Sequence, residues 1–262
     1  MIDDAANSVG GRSIPDLERL HRLGLPRWPP GDAMVFHYEP MSDVPLAAVC
    51  LNDAYYMVAE ARYALLEGFR NVEHYRRKQP SNGPTAAWMG QYYASDVALR
   101  LYAAGEHLAS AIMQMLKIDR LEFERYEKAG KKGRASRQTV VAKFLKAQMS
   151  NQAISAAVVN LGMSVAWAKT VEYRNLWVHM QPPLISGMGL AYQRGKKYWS
   201  EFTDKGSRGY ELRFGGGDKP ELSVDELLER VREASCTFMD AFVTVAEYYN
   251  ALLTQAVASS QD

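Results

Sequence analysis

The chain has 262 residues, of which 47% are hydrophobic and 23% are charged, and these proportions are typical of a globular protein with a substantial apolar core. The formal net charge of +1 excludes strong binding of nucleic acid through overall charge, so any affinity for RNA must come from local basic patches. The two cysteines, Cys50 and Cys236, have no spacing that indicates a zinc site or a disulfide framework, which favours a reducing compartment such as the cytoplasm.

Residues 1–43 are expected to form an irregular N-terminal arm with one short helix over residues 14–23. The arm opens with Met1-Ile2-Asp3-Asp4, which is acidic and lacks an apolar stretch, so no signal peptide is expected. Prolines that oppose regular structure recur along it, at Pro15, Pro26, Pro29, Pro30 and Pro40.

Residues 44–258 are expected to fold as one all-α domain, a bundle of about five to seven helices. Apolar residues recur there at spacings of three and four, which is the period of a helix with one buried face. Prolines at positions 80 and 84 separate the first two helices. The predicted helices cover residues 44–77, 85–118, 138–149, 153–180 (as one or two helices) and 223–257, the last beginning at a Ser223 cap.

A small β-hairpin insertion is predicted before the last helix, at about residues 195–215. Its strands are predicted over residues 197–203 and 210–214, and a glycine-bearing loop over residues 204–209 joins them.

The most apolar stretch of the chain, residues 153–168, is predicted to be a buried helix. It is shorter than the ~20 residues that a membrane span needs, and Asn160, Gly162 and Ser164 interrupt it. No membrane association is therefore expected.

Residues 128–137 carry five basic side chains and no acidic one, which predicts an exposed loop. Such a loop either follows the phosphate backbone of an RNA or is simply a solvated surface segment. The candidate RNA-binding residues in it are Lys131, Lys132, Arg134 and Arg137.

One short segment, Tyr173-Arg-Asn-Leu-Trp-Val-His179, combines side chains that suit phosphodiester chemistry. On a helix, Tyr173 and Trp177 share a face and are expected in the core, whereas Arg174 and His179 differ by about 140° around the axis. Arginine binds phosphate bidentately and stabilises developing charge, and histidine moves a proton to or from a ribose 2′-OH. The alternative for His179 is a helix-capping role.

Arg174-Asn175-x-x-x-His179 resembles the Arg-x4–6-His signature of the HEPN superfamily, including the polar residue after the arginine. The resemblance implies a helical bundle and RNA cleavage through a 2′,3′-cyclic phosphate without a metal or other cofactor. Gly105-Glu106-His107-Leu108 resembles the acidic position on the family's first core helix, so Glu106, or Asp96 upstream, would orient the arginine. Met180-Gln181-Pro182 departs from the small residue and tyrosine that follow the histidine in many active members, which implies a different loop beside the pocket.

These features favour a dimeric HEPN-type ribonuclease, a toxin or defence effector with a possible antitoxin or regulatory protein as partner. A face-to-face homodimer would place two Arg/His pairs in one cleft and supply both an acid and a base. The alternatives are a non-catalytic bundle that binds nucleotide or a partner, and a scaffold in which the motif is accidental. Glu106 could equally pair with Arg100 or Lys117, and the other histidines have no metal-ligand spacing (His21, His37, His74 and His107).

Overall fold

Eight helices and two small hairpins make up the regular structure that the computed structural model describes. The described residues are 8–9, 11–24, 44–78, 83–129, 137–150, 153–179, 183, 185–186, 199–204, 207–212 and 221–259. The helices are α1 (Glu18–Arg22), α2 (Val44–Lys78), α3 (Gly83–Met115), α4 (Arg120–Ala129), α5 (Arg137–Gln148), α6 (Ala153–Met163), α7 (Val165–His179) and α8 (Val224–Ser259). The strands are β1 (Ser8–Val9), β2 (Arg12–Ser13), β3 (Trp199–Asp204) and β4 (Ser207–Leu212), paired antiparallel as β1–β2 and β3–β4. The prediction of an all-α bundle with a small hairpin is confirmed.

Helices α2 and α3 form a long antiparallel pair. Their directions follow from the contact of Arg100 with Glu60 and from that of His107 with Asp53, since the residue number rises along one helix as it falls along the other. Helix α8 packs against both. A core of aliphatic and aromatic side chains fills the space between the helices, and its largest fully buried members include Leu51, Leu65, Leu101, Leu108, Ile112, Trp167, Tyr173, Phe238 and Phe242.

The three helices pack closely together at Gly90 of α3. A Cβ atom at this position would lie 2.2 Å from Val224 Cγ2 and 2.7 Å from Val72 Cγ2. These distances are well below van der Waals contact, so only glycine fits between α2 and α8 here.

A reciprocal capping box starts α8. The Ser223 backbone N–H donates to Glu226 Oε2 at 2.6 Å, and the Glu226 backbone N–H donates to Ser223 Oγ at 3.2 Å. These bonds satisfy N–H groups that have no partner inside the helix. The predicted Ser223 cap is confirmed, and Arg76 at the end of α2 holds the adjacent Asp225 through two bonds of 2.8 and 2.7 Å.

The apolar stretch from residue 153 forms two helices, α6 and α7, with a bend of 60° between them. Ser164 lies at the bend, and its Oγ accepts the Trp167 backbone N–H at 3.3 Å, which caps the start of α7. Among the described residues, no single helix has both the length and the apolar composition to cross a membrane. The bent pair α6 and α7 meets both criteria only when the two helices are taken together.

Part of the N-terminal segment packs onto the bundle. Leu20 of α1 is fully buried, Arg62 Nε of α2 donates to the Pro15 carbonyl at 2.9 Å, and Asn250 Nδ2 of α8 donates to the Leu23 carbonyl at 2.9 Å. Helix α1 covers only five residues and is therefore shorter than the helix predicted over residues 14–23.

The structure adds one helix to those predicted and corrects the predicted hairpin loop. The charged stretch after α3 is a helix, α4, whose Phe123 is buried against Phe144. Strand β4 begins at Ser207, pairing with Asp204, so residues 207–209 belong to the strand and not to the predicted loop. The physical reason is that a backbone ladder continues to the turn whatever the polarity of its side chains.

The predicted basic loop at residues 128–137 is also helical at both ends. Helix α4 continues to Ala129 and α5 begins at Arg137, so Lys128 and Arg137 lie in helices. Lys131, Lys132 and Arg134 lie outside the described residues.

Candidate functional site

Helix α7 carries the motif and lies antiparallel against α3, with Trp167 close to Gly105 and Tyr173 close to Ser95. Tyr173 is buried, as predicted, and its hydroxyl lies 2.7 Å from Ser95 Oγ. Ser95 Oγ donates its own hydrogen to the Gln91 carbonyl, so the Tyr173 hydroxyl must be the donor to Ser95. Burial raises the pKa of Tyr173, which keeps the phenol neutral and able to donate.

Arg174 is half-buried and points toward α3. Its guanidinium carbon lies 4.0 Å from the centre of the Tyr102 ring, a cation–π contact, and its Nη1 donates to Asn175 Oδ1 at 3.0 Å. The two contacts fix the plane of the guanidinium. Asn175 thus pairs with the arginine that precedes it.

Tyr102 is a site residue that the sequence analysis missed. It precedes Glu106 by four residues on α3, so both lie on one side of that helix. That spacing, an aromatic residue one turn before the candidate acid, is the signal that could have identified it.

The two acidic candidates differ in their surroundings. Asp96 Oδ1 accepts from Arg100 Nε at 3.0 Å, and Arg100 also contacts Glu60 of α2, so Asp96 belongs to an ion-pair group with Arg100 and makes no bond to Arg174 among the described side chains. Burial raises the pKa of Asp96. Glu106 is half-buried one turn beyond Tyr102. Its role in orienting Arg174 stays a prediction.

His179 is the last residue of α7, and its side chain is exposed. The adjacent Trp177 and Val178 are 39% and 44% exposed, so the prediction that Trp177 shares the core with Tyr173 is wrong. Helical periodicity assigns a residue to a face, but it does not say how far the neighbouring helices extend along that face. The side chains at the end of α7, from Trp177 to His179, are exposed in the single chain.

Within one chain the two motif side chains have different environments. Arg174 contacts Tyr102 and Asn175, whereas His179 lies in solvent about 7.5 Å further along the helix axis. The described contacts do not join the guanidinium to the imidazole. Any site that uses both therefore needs a substrate or a second molecule to bridge them.

Comparisons of this chain with protein-family models, with curated proteins and with solved structures find no match.

Proposed function

We propose that the chain is a metal-independent endoribonuclease of HEPN type, in which Arg174 and His179 are the catalytic residues and Asn175 positions the arginine. The observation that supports this most is the fixed guanidinium of Arg174, set 1.4 turns before an exposed imidazole on the same helix. A guanidinium already held by Tyr102 and Asn175 loses little side-chain entropy when it binds a phosphate.

In the proposed reaction the His179 imidazole accepts the proton of a ribose 2′-OH. The 2′ oxygen attacks the adjacent phosphorus, the bond from phosphorus to the 5′ oxygen breaks, and the 5′ oxygen takes up a proton from the imidazolium of a second copy of His179. The products are a 2′,3′-cyclic phosphate and a 5′-OH end. Arg174 stabilises the charge that develops on the non-bridging oxygens.

A symmetric homodimer is part of the proposal, because cleavage benefits when one group removes a proton and a second group delivers one. Trp177 and Val178 beside His179 expose apolar surface at the end of α7, which supports association there. A two-fold axis near this end would bring the two copies of His179 together. Lys131, Lys132, Arg134 and Arg137 are proposed to contact the RNA backbone, and a protein partner that covers the end of α7 would act as the inhibitor.

The test is cleavage of mixed RNA in EDTA by the wild type and by His179→Ala, Arg174→Ala and His74→Ala. His74 is an exposed histidine on α2 and serves as the matched control. We expect the first two variants to lose roughly 10²- to 10⁴-fold in rate, the usual contribution of a general acid–base group, and the control to keep its activity. Equal cleavage by wild type and His179→Ala refutes the proposal, as does a wild type that never cleaves.

A second candidate function is non-catalytic binding of a nucleotide or a protein partner. The contacts of Arg174 inside its own chain favour it, since the Tyr102 ring and Asn175 Oδ1 already engage the guanidinium without a substrate. It predicts binding of RNA oligonucleotides or nucleotides that weakens in Arg174→Ala, with no cyclic phosphate formed.

A further inference from the structure

Helix α5 and the inner face of α7 contain polar atoms that have no hydrogen-bond partner among the described residues. Trp167 Nε1 and Thr170 Oγ1 lie three residues apart on α7, and both side chains are almost wholly buried. Gln138 of α5 is 6% exposed, and neither its amide oxygen nor its amide nitrogen has a partner. Buried polar groups in native proteins nearly always have partners, so these groups require an explanation.

Gln138 and Trp167 line the same small cavity. Its volume is about 10 Å³, close to the least that holds one water molecule. Its remaining walls are mostly aliphatic and come from α3, α5 and α6: Gly105, Leu108, Ala109, Ile112, Val141, Val158, Leu161 and Gly162.

The side chains of Gln138 and Trp167 both lie against α3 at Gly105. A Cβ atom there would lie 2.6 Å from Gln138 Nε2 and 3.1 Å from Trp167 Cζ2. Alanine at this position would force the amide aside, because the indole and the packed aliphatic walls leave it little room. The absence of a side chain at position 105 therefore leaves room for the Gln138 amide in a cavity wall that is otherwise mostly apolar.

We propose that one ordered water molecule occupies this cavity, accepting the Trp167 indole N–H and bonding to the Gln138 amide. A cavity of this size excludes larger ligands, and the two side chains offer donors and an acceptor, as a buried water requires. The water ties α5 to α7, the helix that carries Arg174. The inference does not depend on the proposed nuclease activity.

The sign of one stability change tests the proposal. Gln138→Met keeps the length of the side chain and removes its polar atoms. If the amide is bound to water, the substitution also deprives the water and the indole of a partner, and the equilibrium constant for unfolding rises by roughly tenfold. If the amide has no partner, removing it stabilises the fold and the constant falls. Lys143→Met, at an exposed position of the same helix, controls for the change to methionine.

A crystal structure of the full chain gives the direct readout. The expected result is a density peak within hydrogen-bond distance of both Trp167 Nε1 and the Gln138 amide, absent in Gly105→Ala. A stabilised Gln138→Met, or a Gln138 amide turned to a protein partner with no peak beside the indole, overturns the proposal. Neither measurement uses RNA cleavage, so this failure is distinct from failure of the proposed function.

Discussion

Replacing Gly90 by alanine should destabilise the bundle by about 2 kcal/mol. Alanine in a helix interior gains up to about 1 kcal/mol over glycine through backbone entropy. Against this, the new Cβ would lie 2.2 Å from Val224 Cγ2 and 2.7 Å from Val72 Cγ2. Valine side chains are stiff, so the helices themselves must separate, and such overpacking costs about 3 kcal/mol at the upper end of its usual range.

Urea unfolding followed by circular dichroism measures this change. With a slope of about 2 kcal/mol per molar urea, the midpoint should fall by about 1 M. Gly83→Ala is the matched control, since no atom lies within 4 Å of its Cβ position, and it should leave the midpoint unchanged or raise it. In Gly68→Ala the nearest atom is the flexible end of Leu228 at 2.9 Å, so its effect should be intermediate. If Gly90→Ala proves as stable as Gly83→Ala, the close approach of α2, α3 and α8 is refuted.

Two further changes probe the site and the start of α8. Tyr102→Leu removes the ring beneath Arg174 and should reduce kcat in the EDTA assay by about tenfold, which corresponds to a cation–π contact of about 1–2 kcal/mol. Tyr102→Phe keeps the ring and should retain most of kcat. Equal rates in the two variants would argue against a positioning role for Tyr102. The hydrogen bonds from Ser223 lower the pKa of the Glu226 carboxyl below its ordinary value of 4.5. The Glu226 carboxylate therefore stabilises the fold at pH values above 4.5, and this stabilisation is lost as the pH falls through the lowered pKa. The urea midpoint of the wild type should thus exceed that of Glu226→Gln at neutral pH, and the two midpoints should converge as the pH falls below the lowered pKa. A gap that does not change with pH would contradict this assignment.

The helices were largely predictable because most of the apolar residues that recur at helical spacing are buried between the helices. Residues 44–77 were predicted as a helix and α2 covers Val44–Lys78, because Pro80 and the glycine that follows leave little choice of end point. The end of α3 was harder to locate. It stops at Met115, where Lys117 adopts a left-handed φ of 50° and Ile118 N–H reaches the Met113 carbonyl at 3.0 Å, a C-terminal motif usually marked by glycine.

The candidate site was predictable in its residues and much less so in its contacts. The motif itself identified Arg174 and His179, and the period of the helix correctly put Tyr173 in the core. Sequence spacing shows only partners on the same helix, so it gave no indication that Arg100 contacts Glu60 of α2 or that Tyr102 of α3 supports Arg174 of α7. Exposure of Trp177 depends on where the neighbouring helices end, which a residue's own periodicity does not encode.

Adjacent residues of α7 contact α3 at two places that are seven positions apart: Tyr173 at Ser95 and Arg174 at Tyr102. These two attachments, spaced about 10 Å along the axis of α3, hold this part of α7 against α3. If the proposed cleavage takes place, movement that carries the imidazole toward the scissile bond would arise in the final turn of α7, after Asn175. Such movement would be a local unwinding or a rotamer change there, with Tyr173 and Arg174 staying in place.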